Sequence, residues 1–307
     1  MNFQNFAYPT DTLLKLAAVI LPLFLGLSTE AGTVKIMSYN ILANWDRVRG
    51  DRIVAVVKDQ APDVLGFQEV VGGNTEYLLS ELDGGFEAYF AATADPVFVR
   101  RDADLRMIEN GTAELIKCLI DRQVNWVRLE DRISGEQFVY YNTHLCFILE
   151  NTLEEYTNEE ANQIQASQII DVMASHAEDG LVQVLGGDLN VFSSSNTTKF
   201  FLEGQPLPVN GKKNPLALKE TWASAPGNAG ERPITVVRDG NIGGQQGQGG
   251  GRRRRGGIGR RIEMPNEPGI DWLFVSESAN VIAAEVIQNE LTIGTSDHLP
   301  IFATIAF

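Results

Sequence analysis

The sequence predicts an α/β fold in which two β-sheets pack together and helices flank them. Segments of strand character alternate with segments of helical character along the chain. Both halves are rich in strands with helices between them, which is typical of packed sheets covered by outer helices. The chain has 307 residues and 44% hydrophobic content, so it can bury a large core.

The first half of the chain predicts alternating strands and helices, followed by a three-strand meander. Strands are expected at 34–40 and 63–69, and helices at 49–60 and 74–82. The Asn110-Gly111 pair, a turn signal, is expected to open the meander. The β-rich segments that follow predict its strands at 112–120, 123–130 and 137–145.

The second half predicts the longest helix, at 159–176, and then mainly strands. A buried strand is expected at 181–186, and a loop-rich region extends to residue 268. The last strands are expected at 270–275, 281–288 and 301–305. His176 ends the long helix, and we expect it to be solvent-exposed at a position that the helix dipole favours.

The N-terminal region, residues 1–31, predicts a secretory signal peptide. An uninterrupted apolar run at 16–27 follows Lys15 and precedes small residues that suit a cleavage site. The run is too short to span a bilayer, and Pro22 opposes a regular helix there. A membrane-associated helix and an ordinary apolar segment are the alternatives. We expect a secreted or extracytoplasmic monomer without a transmembrane span, in which residues 32–307 form one domain.

The two cysteines, Cys118 and Cys146, are not expected to form a disulfide. In a meander the outer strands lie roughly 10 Å apart, beyond the reach of a disulfide. Only a different strand order would bring them together. Two free thiols count slightly against secretion.

The charge distribution excludes proteins that bind a long polyanion through a broadly basic surface. The formal net charge is −15, whereas such surfaces carry clustered Lys and Arg. The exception is a Gly/Arg-rich loop at 241–261, in which consecutive arginines begin at Arg252 and end at Arg255. This segment is either a basic arm that makes transient contact with polyanions or a solvated insertion.

Polar and acidic side chains follow most of the predicted strands. They are Asn40, Glu69, Asn142, His144, Asp188, Asn190, Asp271, Asp297 and His298. Catalytic groups gather where strands end, because the sheet holds the backbone while the ends stay open. Each residue taken singly is equally well explained as a turn, cap or solvated residue.

Alternation along the strands places Asn142 with His144 on a shared face, and also Asp188 with Asn190 if that strand continues. No Ser or Cys stands in an elbow context such as Gly-x-Ser-x-Gly. Activated water is therefore the expected nucleophile.

The same residues predict a magnesium site rather than a zinc site, because the chain has only three histidines. Mg²⁺ keeps most of its waters and uses one or two carboxylates together with phosphate oxygens. Glu69, Asn40 and Asp297 are the expected ligands, with Mn²⁺ as an alternative ion. Such an ion would supply the positive field that an acidic chain lacks.

In order and separation, the strand-end motifs resemble those of the endonuclease/exonuclease/phosphatase superfamily, from about residue 34 to the C-terminus. They are Met-Ser-Tyr-Asn40-Ile-Leu, Gln68-Glu69-Val, Asn142-Thr143-His144-Leu, Gly187-Asp188-Leu-Asn190, Ile270-Asp271-Trp and Ser296-Asp297-His298-Leu-Pro. The resemblance implies a four-layer α/β sandwich of two mixed β-sheets flanked by helices. It also implies a divalent metal and in-line attack of water on a phosphoester.

The resemblance implies a role for each matching residue. Glu69 would be the principal metal ligand, with Asn40 beside it and Asp297 near the metal. Asp188 would orient or deprotonate the attacking water, and Asn190 would hold a phosphoryl oxygen.

The remaining matches would act on the phosphate. His144 and Asn142 would stabilise the charge that develops on it. His298 would contact the phosphate or transfer a proton, and Asp271 would fix the tautomer of its imidazole.

These observations predict a metal-dependent phosphoesterase that cleaves a phosphodiester in nucleic acid or a nucleotide. Phospholipid and inositol phosphate are alternative substrates. Residues 125–138 resemble small, often secreted hydrolases of the superfamily and residues 39–43 resemble its deadenylases, and neither resemblance fixes a substrate. Gly269 replaces the basic residue that is usual before the Ile-Asp motif, so one phosphate contact is expected to be lost or supplied by the loop. A non-catalytic binding protein on the same fold is the alternative from another class.

Overall fold

The computed structural model describes residues 32–43, 46–118, 120–147, 156–178, 180–236 and 269–307. The predicted signal peptide and the Gly/Arg-rich loop lie outside these residues. Among the helices within these ranges, none combines the length and the apolar character needed to cross a membrane.

Twelve strands and five helices form the described part of the chain. The strands are β1 Thr33–Asn40, β2 Val64–Gln68, β3 Phe86–Tyr89, β4 Val97–Arg100, β5 Leu105–Leu115, β6 Arg122–Asp131, β7 Gln137–His144, β8 Val182–Asp188, β9 Leu218–Glu220, β10 Asp271–Ser276, β11 Asn280–Val286 and β12 Ile301–Ala306. The helices are α1 Arg47–Gln60, α2 Asn74–Glu81, α3 Asn158–Ser175, α4 Asn196–Glu203 and α5 Thr221–Ser224.

The strands form two six-stranded mixed sheets with orders β11-β12-β1-β2-β4-β3 and β5-β6-β7-β8-β10-β9. Buried side chains from both sheets, such as Ile36 and Tyr140, share the interior core. The outer face of the first sheet packs on α1 through residues such as Ile53, and that of the second packs on α3 through Ile169. The predicted four-layer α/β sandwich is thereby confirmed.

Strand pairing explains why the polar strand ends meet. β1 and β2 run parallel and pair Asn40 with Gln68. Glu69 is the next residue after Gln68, so it lies at the same end of the sheet as Asn40. β7 and β8 also run parallel and pair His144 with Asp188. Because β10 is antiparallel to β8, it begins at this same edge.

The predicted meander exists, but its first strand is longer than expected. Asn110-Gly111 lies inside β5 and does not open the meander. Gly111 is needed there because a Cβ would lie 2.6 Å from the Trp126 indole of the neighbouring strand. β3 and β4 were not predicted, because strands of four residues are too short to show periodicity.

Cys118 and Cys146 form a disulfide, so the expectation of separate thiols is wrong. β6 does separate β5 from β7, as predicted. However, β5 ends at Leu115 and β7 at His144, so both cysteines lie in loops beyond the strands. In these loops the two Cα atoms approach to 6.1 Å, which is within disulfide range.

His176 is packed rather than freely solvated, which corrects the expectation for this residue. Its ring lies 4.3 Å from that of Trp126, and its Nδ1 atom lies 2.9 Å from the Tyr141 hydroxyl. Burial lowers the pKa of His176, so at neutral pH the ring behaves as an aromatic packing group.

Candidate active site

Six of the nine predicted site residues line one cleft of about 280 Å³. They are Glu69, His144, Asp188, Asn190, Asp297 and His298. Arg122, Phe147, Val236 and Ile270 complete the lining. Asn40, Asn142 and Asp271 lie behind this surface.

Asn40 joins the two carboxylates at the centre of the cleft. Its Nδ2 atom donates to Glu69 Oε1 at 3.2 Å and to Asp188 Oδ2 at 2.9 Å. Its Oδ1 atom accepts from the Leu42 backbone N–H at 3.0 Å. The fully buried amide therefore positions both carboxylates.

Glu69 adopts a left-handed backbone conformation with φ 64°, which is uncommon for a residue with a Cβ. The loop after β1 supports it, since the Ala43 N–H donates to Glu69 Oε2 at 2.9 Å. Such outliers concentrate at functional sites, where the surrounding structure compensates for their cost.

Asp188 ends β8 next to two imidazoles. Its Oδ2 atom lies 3.5 Å from His144 Nε2 and 3.7 Å from His298 Nε2. Gly187 allows β8 to lie close to β7 next to this site, since its φ is 146° and a Cβ would lie 1.9 Å from the Thr143 carbonyl oxygen. Burial raises the pKa of Asp188, and the neighbouring His298 opposes that shift.

His298 is held between carboxylates. Its Nδ1 atom lies 2.9 Å from Asp271 Oδ2, so this pair fixes the ring orientation and leaves Nε2 facing the cleft. Burial alone lowers the pKa of His298, but the charges of Asp271, Asp188 and Asp297 outweigh burial and raise it. At neutral pH these carboxylates favour the imidazolium.

His144 has the opposite electrostatic character. Burial lowers its pKa well below the ordinary value, and the nearby charges of Arg122 and His298 lower it further. The two histidines beside Asp188 therefore differ in electrostatic character, because burial favours the neutral form of His144 and neighbouring carboxylates favour the imidazolium of His298.

Asn190 lines the cleft in a left-handed conformation with φ 51°. Its backbone N–H donates to Asp188 Oδ1 at 3.0 Å, and its Nδ2 atom donates to the Leu145 carbonyl at 3.1 Å. These bonds fix its side chain beside Asp188.

Asn142 does not reach the cleft, which corrects its predicted role as a phosphate contact. It is fully buried. Its Nδ2 atom donates to the Phe67 carbonyl at 2.8 Å, and its Oδ1 atom accepts from Gln68 Nε2 at 2.7 Å. The side chain bridges the two sheets.

Arg122 is a cleft residue that sequence reasoning missed. It opens β6 and is only 8% exposed, and its Nε atom has no hydrogen-bond partner among the described residues. Burial lowers its pKa, and the charges of Asp95, Asp188 and Glu69 counteract this shift. The only sequence signal was a cation at the start of a buried strand.

Phe147 was also missed. It lies three residues after His144 and remains 44% exposed in the cleft wall. A lone Phe after a strand has no sequence signature that separates a binding position from a packing one.

The donor set fits a divalent metal. Glu69 and Asp297 present carboxylates in the cleft, the kind of ligand that Mg²⁺ prefers. A second group, formed by Asp188, Asp271 and His298, brings its ligand atoms within 4.8 Å of one another. The described residues thus contain a possible metal site.

A sequence profile of the Endonuclease/Exonuclease/phosphatase family matches residues 37–298. The chain belongs to this family. Family members are phosphoester hydrolases and generally depend on a divalent metal. None of the curated protein sequences matches the chain significantly.

Solved structures share the fold. An endonuclease/exonuclease/phosphatase from Bacteroides vulgatus has a TM-score of 0.68 at 19% identity, over 90% of this chain and 99% of its own. A mannosyl-6-phosphatase from Bacteroides thetaiotaomicron has a TM-score of 0.65 at 17% identity, over 89% and 100%. D. rerio TDP2, complexed with a single strand DNA product, has a TM-score of 0.63 at 14% identity, over 90% and 100%. At these identities the likeness concerns the fold.

Proposed function

We propose that this protein is a divalent-metal-dependent phosphoesterase that hydrolyses a phosphodiester by attack of an activated water, with a nucleotide or nucleic acid as substrate. The observation that carries this proposal is Arg122. A buried guanidinium that faces a cleft and has no direct ion pair among the described residues is well suited to bind a phosphate, which supports this proposal.

Asp188 is the proposed base. A carboxylate whose pKa is raised by burial works closer to neutral pH than an exposed one, which suits deprotonation of water. The Asn190 N–H and the Asn40 amide hold its two oxygens and so fix its direction.

His298 and His144 are the proposed phosphate-facing groups. A cationic His298 stabilises negative charge on the phosphoryl group and can donate a proton to the leaving oxygen. His144, kept neutral by burial and by Arg122, offers a hydrogen bond without a second full charge. Asn190 supplies a further polar contact.

The metal is proposed to be Mg²⁺ or Mn²⁺, held by Glu69 and Asp297, with Asn40 orienting Glu69. When bound, such an ion supplies Lewis-acid polarisation of a phosphoryl oxygen. The Asp188–Asp271–His298 group is the less favoured position, because His298 Nδ1 already pairs with Asp271.

Turnover assays test the proposal. Wild-type protein and Asp188→Asn would be compared on bis(p-nitrophenyl) phosphate, p-nitrophenyl phosphate, single-stranded DNA, RNA, a sugar 6-phosphate, inositol phosphates and sphingomyelin. Each substrate would be tested with Mg²⁺, with Mn²⁺ and with EDTA. We expect chelator-sensitive diester cleavage. A preference for a monoester or a lipid would overturn the proposed substrate class. Turnover no higher than that of the Asp188→Asn variant on every substrate would refute the proposed enzymatic activity.

Secretion is proposed as well, and the Cys118–Cys146 disulfide supports it because structural disulfides persist mainly in oxidising compartments. Expression of the full chain in its native host, followed by N-terminal sequencing of the extracellular protein, tests this. Retention of an intact N-terminus inside the cell would contradict it.

A further inference from the structure

We propose that Thr235 is a positioning residue that fixes the Asp271 carboxylate and, through it, the imidazole of His298. This inference rests on the proposed function, in which His298 acts on the phosphate. Thr235 is fully buried and does not line the cleft, so it acts only through its neighbours.

The Thr235 hydroxyl makes two hydrogen bonds with the same residue. It donates to Asp271 Oδ2 at 2.6 Å and accepts from the Asp271 backbone N–H at 3.3 Å. The same Oδ2 atom lies 2.9 Å from His298 Nδ1. A carboxylate held by two donors on one oxygen cannot rotate without breaking a buried hydrogen bond, which is costly.

The segment formed by Thr235 and Val236 also contacts the backbone around His298. The Thr235 carbonyl accepts from the Leu299 N–H at 2.7 Å, and Val236 forms an antiparallel bridge with His298. One short segment therefore contacts both partners of the His298–Asp271 pair, so their separation and their orientation are set together.

Arg232 anchors this segment from the other side. Its guanidinium donates to the backbone carbonyls of Asp271 and Gly269, and its Nε atom lies 2.9 Å from Glu220 Oε1. The same group lies 4.0 Å above the Trp272 ring centroid. Through these contacts the Arg232 guanidinium stabilises the backbone around Asp271, and Arg232 does not line the cleft.

Gly269 makes the close approach of Thr235 possible. A Cβ at this position would lie 1.8 Å from Thr235 Oγ1 and 2.4 Å from its backbone nitrogen. A side chain there would displace the hydroxyl from Asp271. Gly269, which stands where a basic residue usually precedes the Ile-Asp motif, therefore leaves the space that the Thr235 hydroxyl occupies.

Kinetics of Thr235 variants test the proposal. Hydrogen-bond partners that orient metal-ligating side chains typically contribute 10–100-fold, and by analogy we expect Thr235→Val to lower kcat by roughly that factor. KM should change by less than about threefold, because Thr235 touches no substrate. Thr235→Ser keeps the hydroxyl and should restore kcat to within about threefold of wild type.

Thr197→Val is the matched control. Thr197 is equally buried, but its hydroxyl has no partner among the described residues, so its loss should leave kcat unchanged. If Thr235→Val fails to fold, Thr235→Ala removes the hydroxyl without a clashing methyl group. An unchanged kcat in the valine or alanine variant, failure of serine to rescue, or an equal loss in Thr197→Val would overturn the proposal.

Imidazole NMR provides a readout that does not depend on activity. The chain has three histidines, so the Nδ1-bound proton of His298 can be assigned. Removal of the Thr235 hydroxyl should shift or broaden this signal and leave those of His144 and His176 in place. An unchanged His298 signal would refute the positioning role. If wild type turns over nothing, the proposed function fails, and the NMR result alone decides the role of Thr235.

Discussion

The Nε2 atom of His298 lies 3.7 Å from the Oδ2 atom of Asp188. The first residue precedes a strand of one sheet and the second ends a strand of the other, so this contact joins the two halves of the sandwich. Asn40 donates to the same oxygen at 2.9 Å, and His144 approaches it to 3.5 Å. The proposed chemistry therefore depends on the packing of both sheets.

Asp188→Asn should lower kcat by ~10²–10⁴-fold, the usual contribution of a general base. The side chain keeps its shape, but its NH₂ group replaces an oxygen that accepts a buried hydrogen bond, so the melting temperature should fall modestly while the protein still folds. Hydrolysis of a chromogenic diester and thermal unfolding measure the two effects. Asp59→Asn, at an exposed carboxylate, is the control. A near-normal rate in Asp188→Asn would show that Asp188 is not the general base.

The pH dependence of kcat/KM should be bell-shaped. Asp188 works deprotonated, and burial raises its pKa, so the acid limb should lie above the usual carboxyl range near pH 4. His298 works protonated, and carboxylates raise its pKa, so the alkaline limb should lie above about pH 6.5.

Asp271→Asn checks the assignment of the alkaline limb. Loss of this carboxylate removes a cause of the raised His298 pKa, so the limb should move to lower pH. A limb that does not move would assign it to another group.

Glu69→Gln should raise the Mg²⁺ concentration needed for half-maximal activity by about tenfold or more, because a charged ligand is lost. Metal titrations of activity measure this. The Mg²⁺-induced rise in melting temperature should shrink in parallel, since ligand binding stabilises the folded state. Glu76→Gln, at an exposed glutamate, should behave as wild type, and unchanged metal dependence in Glu69→Gln would place the ligand elsewhere.

Arg122→Gln should weaken competitive inhibition by inorganic phosphate by about tenfold or more, because hydrogen bonds to charged groups contribute ~1.5–3 kcal/mol. Arg122→Lys keeps the charge and should lose less. Arg128→Gln, on the same strand but paired with the exposed Glu178, should not change inhibition. Equal inhibition constants in wild type and Arg122→Gln would remove Arg122 from the phosphate site.

Loss of the disulfide should destabilise the fold. Cys118 and Cys146 are separated by 28 positions, and closing a loop of this size stabilises by about 3.6 kcal/mol. Denaturant unfolding of wild type and of the Cys118→Ser, Cys146→Ser double variant measures the difference. Reductant should have no effect on the double variant, and equal stabilities would contradict the prediction.

Local patterns were sufficient for much of the fold and for most of the cleft. Three strands with strong β character end in the polar residues Asn40, His144 and Asp188. Parallel pairing of neighbouring strands then brings their ends to one edge. For this reason six predicted site residues line one cleft.

Other features depend on contacts between distant segments. Asn142 shares a face with His144, but whether that face meets solvent or the opposite sheet is decided by sheet packing. The disulfide likewise depends on where β5 and β7 end and how their loops turn.

The sequence by itself determined the α/β class and the order of the strand-end motifs, because both arise from periodicity and from neighbouring residues. Only the tertiary structure decided that Arg122 is buried in the cleft and that Thr235 supports Asp271. The physical reason is that burial and hydrogen-bond partners are set by segments far apart in the chain. A lone arginine or threonine carries no local sign of the partner that it will meet.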